Sequence, residues 1–209
     1  GEDEKPLPKD LVIPASAFTS KRPFPRFRDV GAAVGVADDA RVEALAAAVA
    51  IGAGAINVNQ ACLVMGSWSI NEVITKEPIV DTSLFMTTLF AEPGLFLTIE
   101  DSATSATNLE WFVNQCCGDE RAEAKRRGVS VYEVCNEEVA SLPPGSTNII
   151  FHPFLFGSNV QPSARAGFYG VGGWHTRAHL LRALYEGVVF GHLNHIEKLR
   201  KAGGQINTA

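Results

Sequence analysis

The sequence has no apolar run long enough to cross a membrane, and it has little positive charge. Its 209 residues carry 18 lysines and arginines against 23 aspartates and glutamates, which gives a formal net charge of −5. The densest positive run, Lys125 to Arg127, stands among acidic residues and is typical of a solvated face. These shortages argue against a membrane-spanning protein and against a nucleic-acid-binding one.

Cysteine is scarce as well. The four cysteines, Cys62, Cys116, Cys117 and Cys135, have neither the spacing of a zinc site nor that of a disulfide framework. We therefore predict reduced cysteines that mostly pack in the core. The N-terminal residues GEDEKPLPKD contain no apolar segment typical of a secretory signal, so we expect a cytoplasmic protein.

Two kinds of catalytic site lack their residues. His175 and His179 can share one helix face, and so can His192 and His195, but neither pair has a third zinc ligand nearby in the sequence. We predict capping, packing or surface roles for these histidines and no metal site. The absence of a G-x-S-x-G motif argues against a serine hydrolase.

What the sequence does contain is an alternation of helical and buried-strand patterns after a proline-rich leader at residues 1–30. Such an alternation predicts a layered α/β domain. Trp111, in the second helix, is predicted to lie in the core. The predicted helices are Ala40–Ile51, Asn108–Cys116, Val131–Ser141 and one beginning near Thr176; the predicted strands are Gln60–Met65, Leu95–Glu100 and Asn148–Phe156.

The segment from Gly167 to Phe190 joins a glycine-rich turn to the last of these helices. Four glycines fall within seven positions, which permits backbone conformations closed to other residues. Apolar residues then recur at helical spacing on both sides of the helix. We therefore expect this helix to be sandwiched between layers of the domain.

A second informative segment is MGSWS, from Met65 to Ser69, which follows a predicted strand. A strand that ends in glycine and hydroxyl residues can point backbone N–H groups and side-chain hydroxyls at phosphate oxygens. Taken alone, the pattern is equally that of an ordinary hairpin turn, in which Trp68 simply packs.

The stretch from Ala166 to Glu186 is similar to the second signature of the FGGY family of carbohydrate kinases, which phosphorylate ketoses, polyols and glycerol. Three upstream segments resemble the family's strand and loop, the helix before it, and its phosphate-binding turn, in the family's order. They are FHPFLFGSN (residues 151–159), NLEWF (108–112) and MGSWSIN (65–71). The resemblance covers about residues 50–205. The amino-acid sequences of these segments are most similar to those of the L-xylulose kinase branch.

The resemblance implies a ribonuclease H-like, actin-like ATPase fold, an α/β domain with a mixed sheet and helices on its faces. It assigns residues 31–209 to part of the family's C-terminal, nucleotide-side domain. It also implies ATP with Mg²⁺ as the phosphoryl donor and a ketopentose such as L-xylulose as the acceptor. A homodimer is expected on family grounds alone.

The resemblance also implies residue roles. Gly66, Ser67, Trp68 and Ser69 take the place of the turn that holds the ATP phosphates. Ala106 takes the place of a small residue that lets the nucleotide lie close, and Glu110 that of a polar neighbour of the ribose or phosphates. For Glu110 an alternative stays open, in which Ser102 or Thr104 caps the helix and Glu110 is merely solvated.

The carboxylate that would accept the sugar hydroxyl's proton is missing from its family position. That position falls near Leu45, where EALAAAV has no aspartate. Asp38, in an earlier G-x-x-D, is either this base or a solvated or helix-capping acid, so the catalytic residue is unassigned. An alternative function is a catalytically inactive actin-like module for nucleotide binding or assembly, and another is an unrelated α/β protein.

Overall fold

The computed structural model describes residues 39–207. The leader predicted at residues 1–30 and the candidate base Asp38 lie outside the described residues. The described helices are α1 (Asp39–Gly52), α2 (Ala106–Cys116), α3 (Gly118–Arg127), α4 (Val131–Ala140) and α5 (Arg177–Lys201). The described strands are β1 (Ala61–Met65), β2 (Ser69–Thr75), β3 (Met86–Leu89), β4 (Phe96–Ser102), β5 (Ile150–His152) and β6 (Gly167–Tyr169).

The main sheet has four strands in the order β1-β2-β4-β3, and helices pack on both of its faces, as the α/β pattern predicted. The prediction of a mixed sheet is wrong for these strands, because every pairing is antiparallel. The three residues 66–68 join β1 to β2. A link this short permits only an antiparallel hairpin, since a parallel pair needs a long crossover.

Helix α1 covers one face of the sheet with alanines. Ala46 and Ala50 are buried against Ile74, Leu97 and Ile99 of the two central strands. Alanine side chains are small, so the helix backbone can approach the sheet closely. The helix ends at Gly52, which confirms its predicted C-terminus.

Helix α5 lies on the opposite face and also reaches the small β5–β6 sheet. Leu199 is fully buried against Val73 of β2, while Leu184 packs in a second cluster with Phe151 of β5. At Gly187 the contact is closest, since an added Cβ would lie 2.6 Å from the Phe151 carbonyl oxygen. Glycine is therefore required there by packing.

The prediction that α5 is sandwiched between layers of the domain is wrong for one side of the helix, which stays exposed. Val189, Phe190 and Leu193 are 50%, 62% and 49% exposed. Val189 and Leu193 lie on the exposed side of the helix, whereas Phe190 borders a groove that it shares with Ile150 and Phe151 of β5. The helix begins at Arg177 after Thr176, as predicted.

The cysteines confirm the prediction of reduced, mostly packed thiols. Cys62, Cys117 and Cys135 are buried and free, and Cys116 is free and exposed. Burial raises the pKa of Cys117 to about 12. A thiol held neutral in this way is a poor nucleophile.

Glu72 of β2 is a carboxyl group inside the apolar layer beneath α1. Its residue is fully buried, and neither carboxylate oxygen has an N–H or O–H partner among the described residues. Burial raises its pKa to about 7, and the Cys62 thiol opposite it on β1 offsets only part of that effect. An unpaired buried charge is costly, so the neutral form is favoured inside the protein.

Replacing Glu72 with glutamine should make stability less dependent on pH. Because the pKa in the folded protein, about 7, exceeds the unfolded value of 4.5, the folded state keeps a proton that the unfolded state releases. The free energy of unfolding should therefore fall as pH rises through this window, by about 2 kcal/mol between roughly pH 5 and pH 8. Urea unfolding at both pH values should show a smaller fall in Glu72→Gln; equal falls in the two proteins would contradict the raised pKa.

Candidate functional site

The two segments predicted to hold a nucleotide lie against each other. Backbone N–H groups of Ser105 and Ala106, at the start of α2, donate to the carbonyl oxygens of Ser67 and Gly66, both at 2.9 Å. The Thr107 hydroxyl donates to the same Ser67 carbonyl at 3.1 Å. The hairpin turn between β1 and β2 is thereby fixed onto the first turn of α2.

The turn itself is closed by a hydrogen bond from the Gly66 N–H to the Trp68 carbonyl, at 3.1 Å. Ser67 is exposed, Gly66 and Trp68 are half-buried, and Ser69, the first residue of β2, is buried. The prediction placed these four residues in one turn, whereas the structure places residues 66–68 in the turn and Ser69 in β2. Their depths differ, so Ser67 is the hydroxyl most open to a ligand.

Gly66 has no structural reason to be glycine. Its φ angle is not positive, and an added Cβ would meet no atom closer than 3.8 Å. Both contacts at that distance are ordinary van der Waals contacts. The backbone at Gly66 therefore borders open space, in which a small group can approach the main chain.

The N-terminal half of α2 presents the two other predicted residues. Ala106 and Glu110 are both exposed and are separated by four positions, so they lie on one face of the helix. The helix has eleven residues, and its N-terminal end carries the positive end of the helix dipole. Ala106, at the start of this face, is hydrogen-bonded to Gly66 of the hairpin turn.

The proposed capping by Ser102 or Thr104 is wrong. The Ser102 hydroxyl bonds the Nε2 atom of His195 at 2.8 Å, and the Thr104 hydroxyl donates to the Pro153 carbonyl at 2.5 Å. The N-cap residue is instead Ser105, whose side chain makes no capping bond. The Ser105 hydroxyl is buried and has no partner among the described residues.

Sequence reasoning missed a buried carboxyl group next to this turn, that of Asp101. Asp101 lies opposite Ile70, the residue after Ser69, and its Oδ1 atom accepts a hydrogen bond from the Asn159 amide at 2.8 Å. Burial raises its pKa to about 7, although the bond from Asn159 lowers it. The Asn159 bond, with the Thr104 bond to Pro153, ties the loop after β5 to the end of β4.

The histidines confirm the predicted capping and packing roles. The Nδ1 atom of His175 accepts from the Gly172 N–H at 2.8 Å, and that of His179 from the Thr176 N–H at 3.1 Å. His192 and His195 are buried and hydrogen-bonded against β2. Within residues 39–207, no cluster of three histidine, cysteine or acidic side chains is arranged to bind a metal ion.

A shallow apolar groove is present elsewhere on the described surface. Its volume is about 180 Å³, and none of its residues belongs to the hairpin turn or to α2. The groove is lined by Ile149, Ile150, Phe151, Ala183, Glu186, Gly187 and Phe190. It offers few polar groups, unlike the surface around Ser67 and Ala106.

The family model for the C-terminal domain of the FGGY family of carbohydrate kinases matches residues 61–208. The chain belongs to this family. A probable L-xylulose kinase from Pasteurella multocida is 42% identical over 145 residues, which are 69% of this chain and 28% of that protein. The L-xylulose/3-keto-L-gulonate kinase from Escherichia coli is 37% identical over 146 residues, 69% of this chain and 27% of that protein.

Solved structures of sugar kinases confirm the predicted fold class. The xylulose kinase from Rhodospirillum rubrum has a TM-score of 0.69 and 24% identity over 78% of this chain and 32% of its own. The glycerol kinase from Plasmodium falciparum, solved with ADP, has a TM-score of 0.60 and 20% identity over 78% of this chain and 31% of its own. The chain thus spans less than a third of the length of these relatives. None of the helices described between residues 39 and 207 is long and apolar enough to cross a membrane.

Proposed function

We propose that this chain supplies the nucleotide side of a sugar kinase, which transfers the γ-phosphoryl group of ATP to a ketopentose such as L-xylulose. The observation that carries the proposal is the set of hydrogen bonds joining the 66–68 turn to the first turn of α2. These bonds hold the half-buried Gly66 and the exposed Ser67 next to the exposed Ala106. Family membership accounts for the choice of nucleotide.

The residues present fit a nucleotide's phosphate groups. Open space beside the Gly66 backbone would be filled by any larger side chain, which explains why glycine is found there. The exposed Ser67 hydroxyl can donate to a phosphate oxygen, and the positive end of the α2 dipole favours the same negative charge. Ala106, without a longer side chain, leaves room for the nucleotide, and Glu110 lies one helical turn further along.

Magnesium would reach this site with the nucleotide. Mg²⁺ in kinases is held largely by substrate phosphates and water, with one or two carboxylates. This pattern agrees with the lack of a three-ligand cluster in the described part of the chain. Mg²⁺ would neutralise charge that develops on the transferred phosphoryl group.

The acceptor sugar is inferred from the relatives. Those that are 37% to 42% identical are named for L-xylulose or 3-keto-L-gulonate, so a ketopentose is the proposed acceptor class. The catalytic base is not assigned: Asp38 lies outside the described residues, and Asp101 is 2% exposed and bonded to Asn159. A cytoplasmic location stays a prediction from the sequence, and dimerisation stays a prediction of the family resemblance.

Replacing Gly66 with valine should weaken ADP binding by at least about tenfold, because a branched side chain would fill the space beside the turn. The fold should persist, since beyond its two chain neighbours the added Cβ would meet no described atom closer than 3.8 Å. Isothermal titration with ADP measures the effect.

The matched control is Gly118→Val. Gly118 follows the far end of α2, roughly 15 Å along the helix axis, and an added Cβ there also meets nothing within 4 Å. Gly118→Val should bind ADP as the wild type does. Equal ADP affinity in Gly66→Val would remove Gly66 from the site.

Release of ADP from Mg-ATP should depend on an acceptor sugar. The assay compares L-xylulose, D-xylulose, gluconate, glycerol and no acceptor, and we expect the fastest release with a ketopentose. ADP release that is equally fast without sugar, or nucleotide binding without turnover, would instead favour the alternative function, a nucleotide-binding or assembly module with the actin-like fold.

A further inference from the structure

A buried polar network connects α5 to the two central strands of the main sheet. The Nδ1 atom of His192 donates to the Asn71 amide oxygen at 2.9 Å, and the Asn71 amide nitrogen donates to the Nδ1 atom of His195 at 2.7 Å. The Nε2 atom of His195 in turn bonds the Ser102 hydroxyl at 2.8 Å. Asn71 is fully buried, and both histidines are 2% to 3% exposed.

His195 is the member of this network that contacts both strands. Asn71 belongs to β2, two residues after Ser69, and Ser102 is the last residue of β4, three residues before Ser105. The β2–β4 pairing ends at the Ser69 and Ser102 pair. Beyond this pair the chain continues on one side as the 66–68 turn and on the other as the first turn of α2.

We propose that His195 is a positioning residue for the nucleotide site: by bonding Asn71 and Ser102 together, it fixes the spacing between the hairpin turn and the start of α2. The inference rests on the proposed function, because it assigns His195 a role at that site. The imidazole acts through the two strand ends and does not touch the nucleotide.

The geometry requires a neutral imidazole with two opposite nitrogens. Because the Asn71 amide nitrogen is a donor, Nδ1 of His195 must accept, which leaves the ring proton on Nε2 for the Ser102 hydroxyl. The pKa of His195 is lowered to about 4, mainly by burial and in addition by the nearby His192 and Lys198. The ring therefore keeps one donor and one acceptor at neutral pH.

No other side chain reproduces both bonds. Leucine would fill the space but leave the Asn71 amide and the Ser102 hydroxyl without partners, which is costly in a buried site. Asparagine can replace the Nδ1 atom and keep the bond to Asn71. Glutamine can reach as far as the Nε2 atom and keep the bond to Ser102.

The test measures ADP affinity and melting temperature for His195→Asn, His195→Gln, Ser102→Ala and the His195→Asn, Ser102→Ala double variant. We expect each single variant to weaken ADP binding by about tenfold, the equivalent of one lost hydrogen bond. The double variant should bind no worse than His195→Asn, because both changes remove the same bond. Ser102→Ala is the mildest change, so it reports on the proposal even if a His195 variant fails to fold.

The matched control is Leu184→Ala. Leu184 is a buried residue of the same helix, eleven positions before His195, and packs in the cluster around Phe151 instead of on β2 or β4. It should lower the melting temperature and leave ADP affinity within about twofold of wild type. His195 and Ser102 variants that behave in this way, with lower melting temperature but unchanged affinity, would overturn the positioning role and leave the proposed function intact. A wild type that binds no ADP would overturn the proposed function and this inference with it.

Discussion

The structure depends on the attachment of the 66–68 hairpin turn to the N-terminal end of α2. The turn's carbonyl groups accept the Ser105 and Ala106 N–H groups, which are among the donors that a helix N-terminus leaves unpaired. These bonds pair two N–H groups at the start of α2. They also determine which side of Gly66, Ser67 and Ala106 stays accessible to a ligand. Strand order brings these segments together, since β2 and β4 are neighbours in the sheet.

The sheet beneath this attachment contains buried polar side chains on both of its faces. Asn71 faces α5 and is hydrogen-bonded to two histidines, whereas Glu72 faces α1 and has no N–H or O–H partner in the described part of the chain. Successive residues of one strand thus meet opposite environments, because side chains alternate between the faces of a sheet. Asn71 strengthens the contact between β2 and α5. Glu72 is favoured in its protonated form, which makes the stability of the protein depend on pH.

Much of the fold could be predicted from apolar periodicity and from glycine, as the ends of α1 and the start of α5 show. The strand β2 was not predicted, because Ser69, Asn71 and Glu72 interrupt the apolar pattern and are accommodated only by partners distant in sequence. Trp111 was predicted to be buried but is 41% exposed, because Phe112 and Val113 occupy the core face of α2. The predicted strand from Asn148 to Phe156 is only three residues long, since Pro153 follows His152 and cannot donate to a ladder.

The most direct test of this account is a titration of the protein with ADP, followed by the chemical shifts of its backbone amides. The account predicts that the largest changes fall on two segments far apart in sequence, Gly66 to Ser69 and Ala106 to Glu110, while the amides of α3 and α4 move little. Changes confined to one segment, or centred on the apolar groove around Phe151 and Phe190, would contradict it, because a site built from both segments requires both to contact the nucleotide.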